Sequence, residues 1–211
     1  MLEPGGTITQ SEWSEFQQVC ASAFQLAANK GIAVISGSLP PGVPAEACAA
    51  LVSSAQSTNC LAFVDSSGLP LSKALAAGPD LVKINREEAE FVTQVAIRDP
   101  ISAAQAARKL LDLGANSAVV SLGDRGLVGV RKHDRLTIHA WTTPLRPKST
   151  VGCGDAALAG LAFAAATDLS FEQSLALAVA CGTSNCLAAF PGRIVREDVS
   201  RIEQGVHIER L

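Results

Sequence analysis

The run Lys148-Ser149-Thr150-Val151-Gly152-Cys153-Gly154-Asp155-Ala156-Ala157-Leu158-Ala159-Gly160 holds the residue types in this chain best suited to chemistry. Two glycines bracket Cys153, a carboxylate follows, and small apolar residues then read as a helix. Such a turn leaves the backbone N–H groups of Gly152, Cys153 and Gly154 free at a helix start, where the dipole favours an anion. The glycines remove side chains that would hold a phosphate away. Asp155, beside that anion hole, is placed to take a proton from an attacking hydroxyl. The same residues also read as a glycine turn with Asp155 as a helix cap, and taken alone they fit both descriptions.

The stretch fits G-x-G-x-x-A, a loose form of the dinucleotide-binding fingerprint, but its context does not. That fingerprint follows a β-strand and opens a βαβ unit. Here Thr142 to Ser149 is polar and carries Pro144 and Pro147, and the alanine-rich sequence beyond has no convincing next strand. No G-x-x-x-x-G-K-[ST] occurs either, which excludes a P-loop.

The elements that must position these residues can be read in order. Thr9-x-x-Glu12 is a capping box, with Trp13, Phe16, Val19, Cys20, Phe24 and Ala27 at helical spacing behind it. Ile32 to Ile35 reads as a buried strand that delivers the loop Ser36-Gly37-Ser38-Leu39-Pro40-Pro41-Gly42. A helix over Ala45 to Gln56 follows. Next come the strand Leu61 to Val64, ending at Asp65, a short helix around Leu71 to Ala77, and the strand Leu81 to Ile84. Asn85 opens another helix, and Ile101 to Leu113 is helical, with Gly114 after it. Ala118 to Leu122, Leu127 to Arg131 and Leu136 to Ala140 read as strand, hairpin and edge. Helices over Asp155 to Ala166 and Phe171 to Ala188, the second behind the capping box Ser170-x-x-Gln173, and a short one from Arg196 to about Glu203, are expected to close the chain.

Strands alternating with helices predict one α/β domain over residues 1–211, with a mostly parallel sheet covered on both faces. Ligands in such sheets sit outside the C-terminal strand ends. Polar residues gather there: Ser36 and Ser38, Asp65, Lys83 and Asn85, Ser121 and Asp124. Asn85-Arg86-Glu87-Glu88 is a capping box, and Asn85 and Glu88 could equally orient water around a magnesium ion carrying phosphates. Lys83 is odd in an apolar strand unless its ammonium meets an anion. His133, His139 and His207 read as surface or strand residues, which argues against a histidine-based nucleophile or metal site.

Composition narrows the classes further. With 211 residues, 48% hydrophobic and 18% charged, the chain is long and apolar enough for a real core. A net charge of −3 without a basic cluster argues against nucleic acid as a partner. The six cysteines form no C-x-x-C pair and mostly sit in apolar surroundings, so free thiols in a reducing cytoplasm are expected rather than disulfides or zinc. Met1-Leu2-Glu3-Pro4-Gly5-Gly6 has no signal-peptide pattern, and Ala156 to Ala166 is too short to span a membrane. A cytoplasmic protein without membrane contact is the expectation.

Together, Ser-Gly-Ser-Leu-Pro-Pro-Gly, Asp-Ser-Ser-Gly, Lys-Ile-Asn-Arg-Glu-Glu, Val-Ser-Leu-Gly-Asp-Arg-Gly and Ser-Thr-Val-Gly-Cys-Gly-Asp resemble the PfkB (ribokinase-like) carbohydrate kinases. The hexose-phosphate branch, 1-phosphofructokinase and tagatose-6-phosphate kinase, is the nearest in look, and the likeness runs from Glu3-Pro4-Gly5 to nearly the end. The resemblance implies a ribokinase-like three-layer α/β/α sandwich using ATP and Mg2+. It implies Asp155 as the base acting on a sugar hydroxyl, and Gly152, Cys153 and Gly154 as the anion hole for the transferring phosphoryl group. Lys83, Asn85, Ser121, Gly123, Gly126, Gly182 and Asn185 would serve ATP. Asn85 and Glu88 would hold magnesium through water, and Ser38 and Asp65 would face a sugar phosphate such as fructose 1-phosphate or tagatose 6-phosphate.

Cys153 stands where the family usually has alanine, and Ile84 where it has proline. A larger departure is at the front, where the family's first strands, lid and sugar-binding residues have no counterpart. The expectation is therefore a C-terminal, nucleotide-binding portion with an uncovered sheet edge, which forms a homodimer or is completed by another chain. Two alternatives remain open at this point: a nucleotide-binding fragment that phosphorylates nothing, and a ribokinase- or nucleoside-type kinase.

Overall fold

Three capping boxes legible in the sequence start helices where the side chains require. Thr9 and Glu12 close reciprocal bonds at the head of α1 (Gln10–Leu26), Asn85 and Glu88 at α4 (Arg86–Thr93), and Ser170 and Gln173 at α7 (Phe171–Leu187). The structure, a computed structural model, describes residues 5–143 and 145–211. Met1 to Pro4 and Pro144, on which the readings of the N-terminus and of the Thr142–Ser149 segment partly rested, lie outside them.

Seven strands form one sheet in sequential order: β1 (Ile32–Ser36), β2 (Leu61–Asp65), β3 (Leu81–Asn85), β4 (Ser117–Ser121), β5 (Leu127–Arg131), β6 (Thr137–Trp141) and β7 (His207–Arg210). The first four are parallel, joined by α2 (Ala47–Gln56), α3 (Gly68–Ala76), and α4 with α5 (Pro100–Asp112). The last three pairings are antiparallel. The sheet is therefore mixed, parallel over its first four strands as expected, and the expectation that a short helix closes the chain is corrected. After α8 (Arg196–Glu203) the chain returns as β7 against β6, where His207 stacks on Trp141 with ring centroids 5.4 Å apart. Every residue of β7 is exposed, so no apolar alternation announced it.

The strand period of two sorts the core into two layers. Val82 and Ile84, Ala118 and Val120, and Val128 and Val130 pack with α3, α4 and α5. Phe63, Leu81, Val119, Leu127, Ile138 and Ala140 face the other way, onto α6 (Cys153–Ala166) and α7. Helices on both faces make the three-layer sandwich. Among the described residues, no helix is long and apolar enough to cross a membrane.

One helix departs from its sequence pattern. Trp13 of α1 is buried, but Phe16, Val19 and Leu26 are exposed, as is Val34 on the neighbouring edge strand β1. The spacing correctly gave a helix. Which of its apolar residues become core depends on what lies over them, and no described element packs on that side of α1.

Candidate active site

The same pleat that builds the core places the polar residues. On β1, β2, β3 and β4 the positions facing α6 are Ile32, Phe63, Leu81 and Val119. Stepping along each strand by twos to its C-terminal end gives Ser36, Asp65, Lys83 and Ser121 on that same face. Register sets Ser36 level with Asp65; Lys83 pairs with Val119, so Ser121 stands two residues further along, level with Asn85. Above them α6 begins, its first turn pointing into the row.

Gly152 caps α6 in the left-handed conformation, with φ of 79°, a geometry that glycine adopts without the strain a Cβ would bring. The Cys153 amide makes only a long 3.4 Å bond to the Thr150 carbonyl, and the amides of Gly152 and Gly154 meet no acceptor among the described residues. Unpartnered N–H groups at a helix start form an anion site. Asp155, in the first turn, stays exposed, and the Ser36 hydroxyl donates to its Oδ1 at 2.8 Å.

Lys83 is 3% exposed and paired with the Asp65 carboxylate directly beneath this turn. A Cβ on Gly154 would lie 2.8 Å from Lys83 Nζ, so a larger residue there would push the ammonium aside. Burial pushes the Asp65 carboxyl above its ordinary range; Lys83 opposes this, and the neighbouring Asp155 charge adds to it. Lys83, expected to serve ATP phosphates, lies on the cleft floor under the anion hole, with a carboxylate already beside its ammonium.

A cleft of about 780 Å³ opens over this floor. Lys83, Asn85, Glu88, Ser121, Gly123, Gly126, Cys153, Gly154, Asp155 and Gly182 all line it, so residues far apart in sequence converge. Asn85 and Glu88 each give one oxygen to the other's backbone N–H in their capping box. Each side chain keeps further lone pairs, which suits water-mediated contact with magnesium, an ion that retains several waters. Among the described residues, no group of three or more His, Cys, Asp or Glu side chains is placed to bind a metal directly.

Two expected site residues stand elsewhere. Ser38 is exposed in its loop and is not part of the cleft lining. Asn185, expected beside an adenine, is wholly buried: its Nδ2 donates to the Val151 carbonyl at 2.8 Å and its Oδ1 accepts from Gly192 N at 2.8 Å. It braces the loop that leads into α6. Conversely, the sequence reading assigned no role to Ser36. Its only signal was its place at a strand end, and the contact with Asp155, 119 residues on, is a product of folding. Replacing Ser36 with alanine is expected to lower any Asp155-dependent turnover about tenfold, the lower range for a hydrogen bond to an exposed charged group. Thermal unfolding of the variant should match that of the parent chain, and steady-state kinetics would reveal an unchanged rate if Ser36 does not orient Asp155.

This sandwich, with its glycine-rich helix start, aspartate and strand-end row, is that of an α/β protein whose candidate site lies at the C-terminal strand ends. The family model for pfkB family carbohydrate kinases matches residues 5–189, and the chain belongs to that family. It is 35% identical over 186 residues to the ATP-dependent 6-phosphofructokinase isozyme 2 of Escherichia coli, covering 87% of this chain and 58% of that protein. It is 36% identical over 171 residues to the 1-phosphofructokinase of Xanthomonas campestris, covering 79% of this chain and 53% of the relative. The crystal structure of Escherichia coli phosphofructokinase-2 in complex with fructose-6-phosphate superposes with a TM-score of 0.84 at 30% identity, over 97% of this chain and 64% of that one. The chain thus spans less than two thirds of the length of each of these relatives.

Proposed function

We propose that this chain binds magnesium-ATP over the start of α6 and transfers the terminal phosphoryl group to a hydroxyl of a hexose phosphate. The observation that carries the reading is the Asp155 carboxylate, held by Ser36 at 2.8 Å, beside the amides of Gly152 and Gly154, which meet no acceptor among the described residues. In this reading Asp155 takes the proton from the acceptor hydroxyl as its oxygen bonds to phosphorus and the bond to the leaving diphosphate breaks. The amides of Gly152, Cys153 and Gly154 receive the charge on the phosphoryl oxygens. Ser121, Gly123, Gly126 and Gly182 line the nucleotide side of the cleft, while Asp65 faces the acceptor. Asn85 and Glu88 would hold magnesium through water, and the ion would neutralise phosphate charge.

A second reading has support of its own. More than a third of each relative's length lies outside its match with this chain, and in this second reading the matched part holds nucleotide without an acceptor site. The exposed apolar residues Phe16, Val19 and Leu26 on α1 and Val34 on the edge strand β1 would then be where a second copy or another chain completes the protein. An ADP-release assay with ATP, magnesium and a panel of fructose 1-phosphate, fructose 6-phosphate and tagatose 6-phosphate separates the two. Acceptor-dependent release supports the kinase; nucleotide binding by calorimetry without release supports the second reading. Absence of both removes the nucleotide site itself.

A further inference from the structure

Six free cysteines are spread over the fold, and two of them line the same cleft. Cys48, Cys60 and Cys181 are buried, and Cys20 lies on α1. Cys153 and Cys186 are half-buried, and both line the cleft. Gly182 brings α7 against the head of α6: a Cβ there would lie 3.1 Å from the Cys153 carbonyl oxygen. One turn further along the same face of α7 is Cys186.

The intervening backbone ties the two thiols together. The Cys186 carbonyl accepts from Lys148 N at 2.8 Å and from Ser149 N at 3.4 Å. The Ser149 carbonyl in turn accepts the Cys153 thiol at 3.8 Å, and the Asn185 amide donates to Cys153 Sγ at 3.2 Å. Burial, with the Cys153 thiol in hydrogen-bond contact, pushes the Cys186 thiol up to about 12. Cys186 therefore rests as a neutral thiol in the reduced chain, and reaction with an incoming oxidant begins at Cys153.

We propose that Cys153 and Cys186 are an oxidation site for low-molecular-weight disulfides, closing to an intramolecular disulfide at the mouth of the cleft. The Cys153 thiol loses its proton, and its sulfur attacks one sulfur of glutathione disulfide. That S–S bond breaks, and one glutathione leaves as the thiol. Cys186 then loses its proton and attacks the Cys153 sulfur, releasing the second glutathione. Two protein thiols are oxidised by two electrons, and one disulfide is reduced to two thiols. The new bond ties the first residue of α6 to the last turn of α7. It reorients the Cys153 amide in the anion hole, so turnover is lost on oxidation and returns on reduction; this consequence alone rests on the kinase reading.

The test is a titration of the 211-residue chain with glutathione redox buffers to equilibrium, followed by alkylation of free thiols and peptide mass mapping. The expected result is a Cys153–Cys186 linked peptide, reversed by dithiothreitol, with glutathione trapped on Cys153 in the Cys186→Ala variant. Wild-type chain that ends with glutathione on Cys153 and a free Cys186, or with both thiols free under the most oxidising buffer, overturns the proposal. The linked wild-type peptide decides the matter even if the variant does not fold. Because mass is read rather than turnover, a chain without kinase activity leaves the result intact. A linked peptide formed with no change in measured turnover would separate the site from its proposed consequence.

Discussion

Asp155→Asn is expected to lower acceptor-dependent ADP release by roughly a hundred- to ten-thousand-fold, the range for removing a positioned general base. The asparagine keeps the shape of the side chain and can still meet the Ser36 hydroxyl. It cannot take the proton from the acceptor. Because the amides of Gly152, Cys153 and Gly154 and the floor beneath them are untouched, ATP affinity should change little. The loss therefore falls in kcat, the signature of an interaction made in the transition state. Steady-state kinetics paired with calorimetric ATP titration would check this. A variant that turns over at the parent rate would remove Asp155 from the mechanism, whereas one that loses both turnover and ATP binding would make it a structural cap.

Lys83→Met is expected to cost about 3–5 kcal/mol of stability, the range for removing one partner of a buried ion pair. The pair is nearly sealed, with side-chain exposures of 3% for Lys83 and 16% for Asp65. The substitution leaves Asp65 beside Asp155 with no cation. The effect should depend on pH in a definite sense. Burial already raises the Asp65 carboxyl above its ordinary value of 3.8, so the folded chain binds this proton more tightly than the unfolded chain. Such a group's contribution to stability is full below the ordinary value and is lost as pH rises through the folded value. Without Lys83 the opposing influence disappears, the folded value climbs further, and the loss extends to higher pH. The variant should thus be closer to the parent chain in mildly acidic solution than at neutrality. Denaturant midpoints measured across that range would show it, and an equal loss at every pH would mean that the pair does not carry the energy assigned here.

Both predictions show where sequence reading reached and where it stopped. The capping boxes at Thr9, Asn85 and Ser170 were legible because they are local: donor and acceptor lie three residues apart. The strands β1 to β6 were legible from short apolar runs with β-branched residues. β7 was not, because it is held by backbone pairing with β6 and by His207 on Trp141, with no buried face to leave a pattern. The helical face of α1 was legible as a period, but the exposure of Phe16 and Val19 was not. Asn185 likewise reads as a polar residue near a glycine, and only the packing of α7 against the loop before α6 turns it into a buried brace.

By itself the sequence determined the helix starts, the strand-end placement of Asp65, Lys83 and Ser121, and the glycine-aspartate turn. These follow from the chain's local periodicity and from the residue types its turns demand. Tertiary structure alone decided that Ser36 meets Asp155, that Lys83 finds Asp65 under Gly154, and that Cys153 and Cys186 line one cleft. The members of each pair lie 18 to 119 residues apart. A residue's type fixes which bonds it can form, but which partner arrives is set by strand register and by how closely α6 and α7 pack on the sheet.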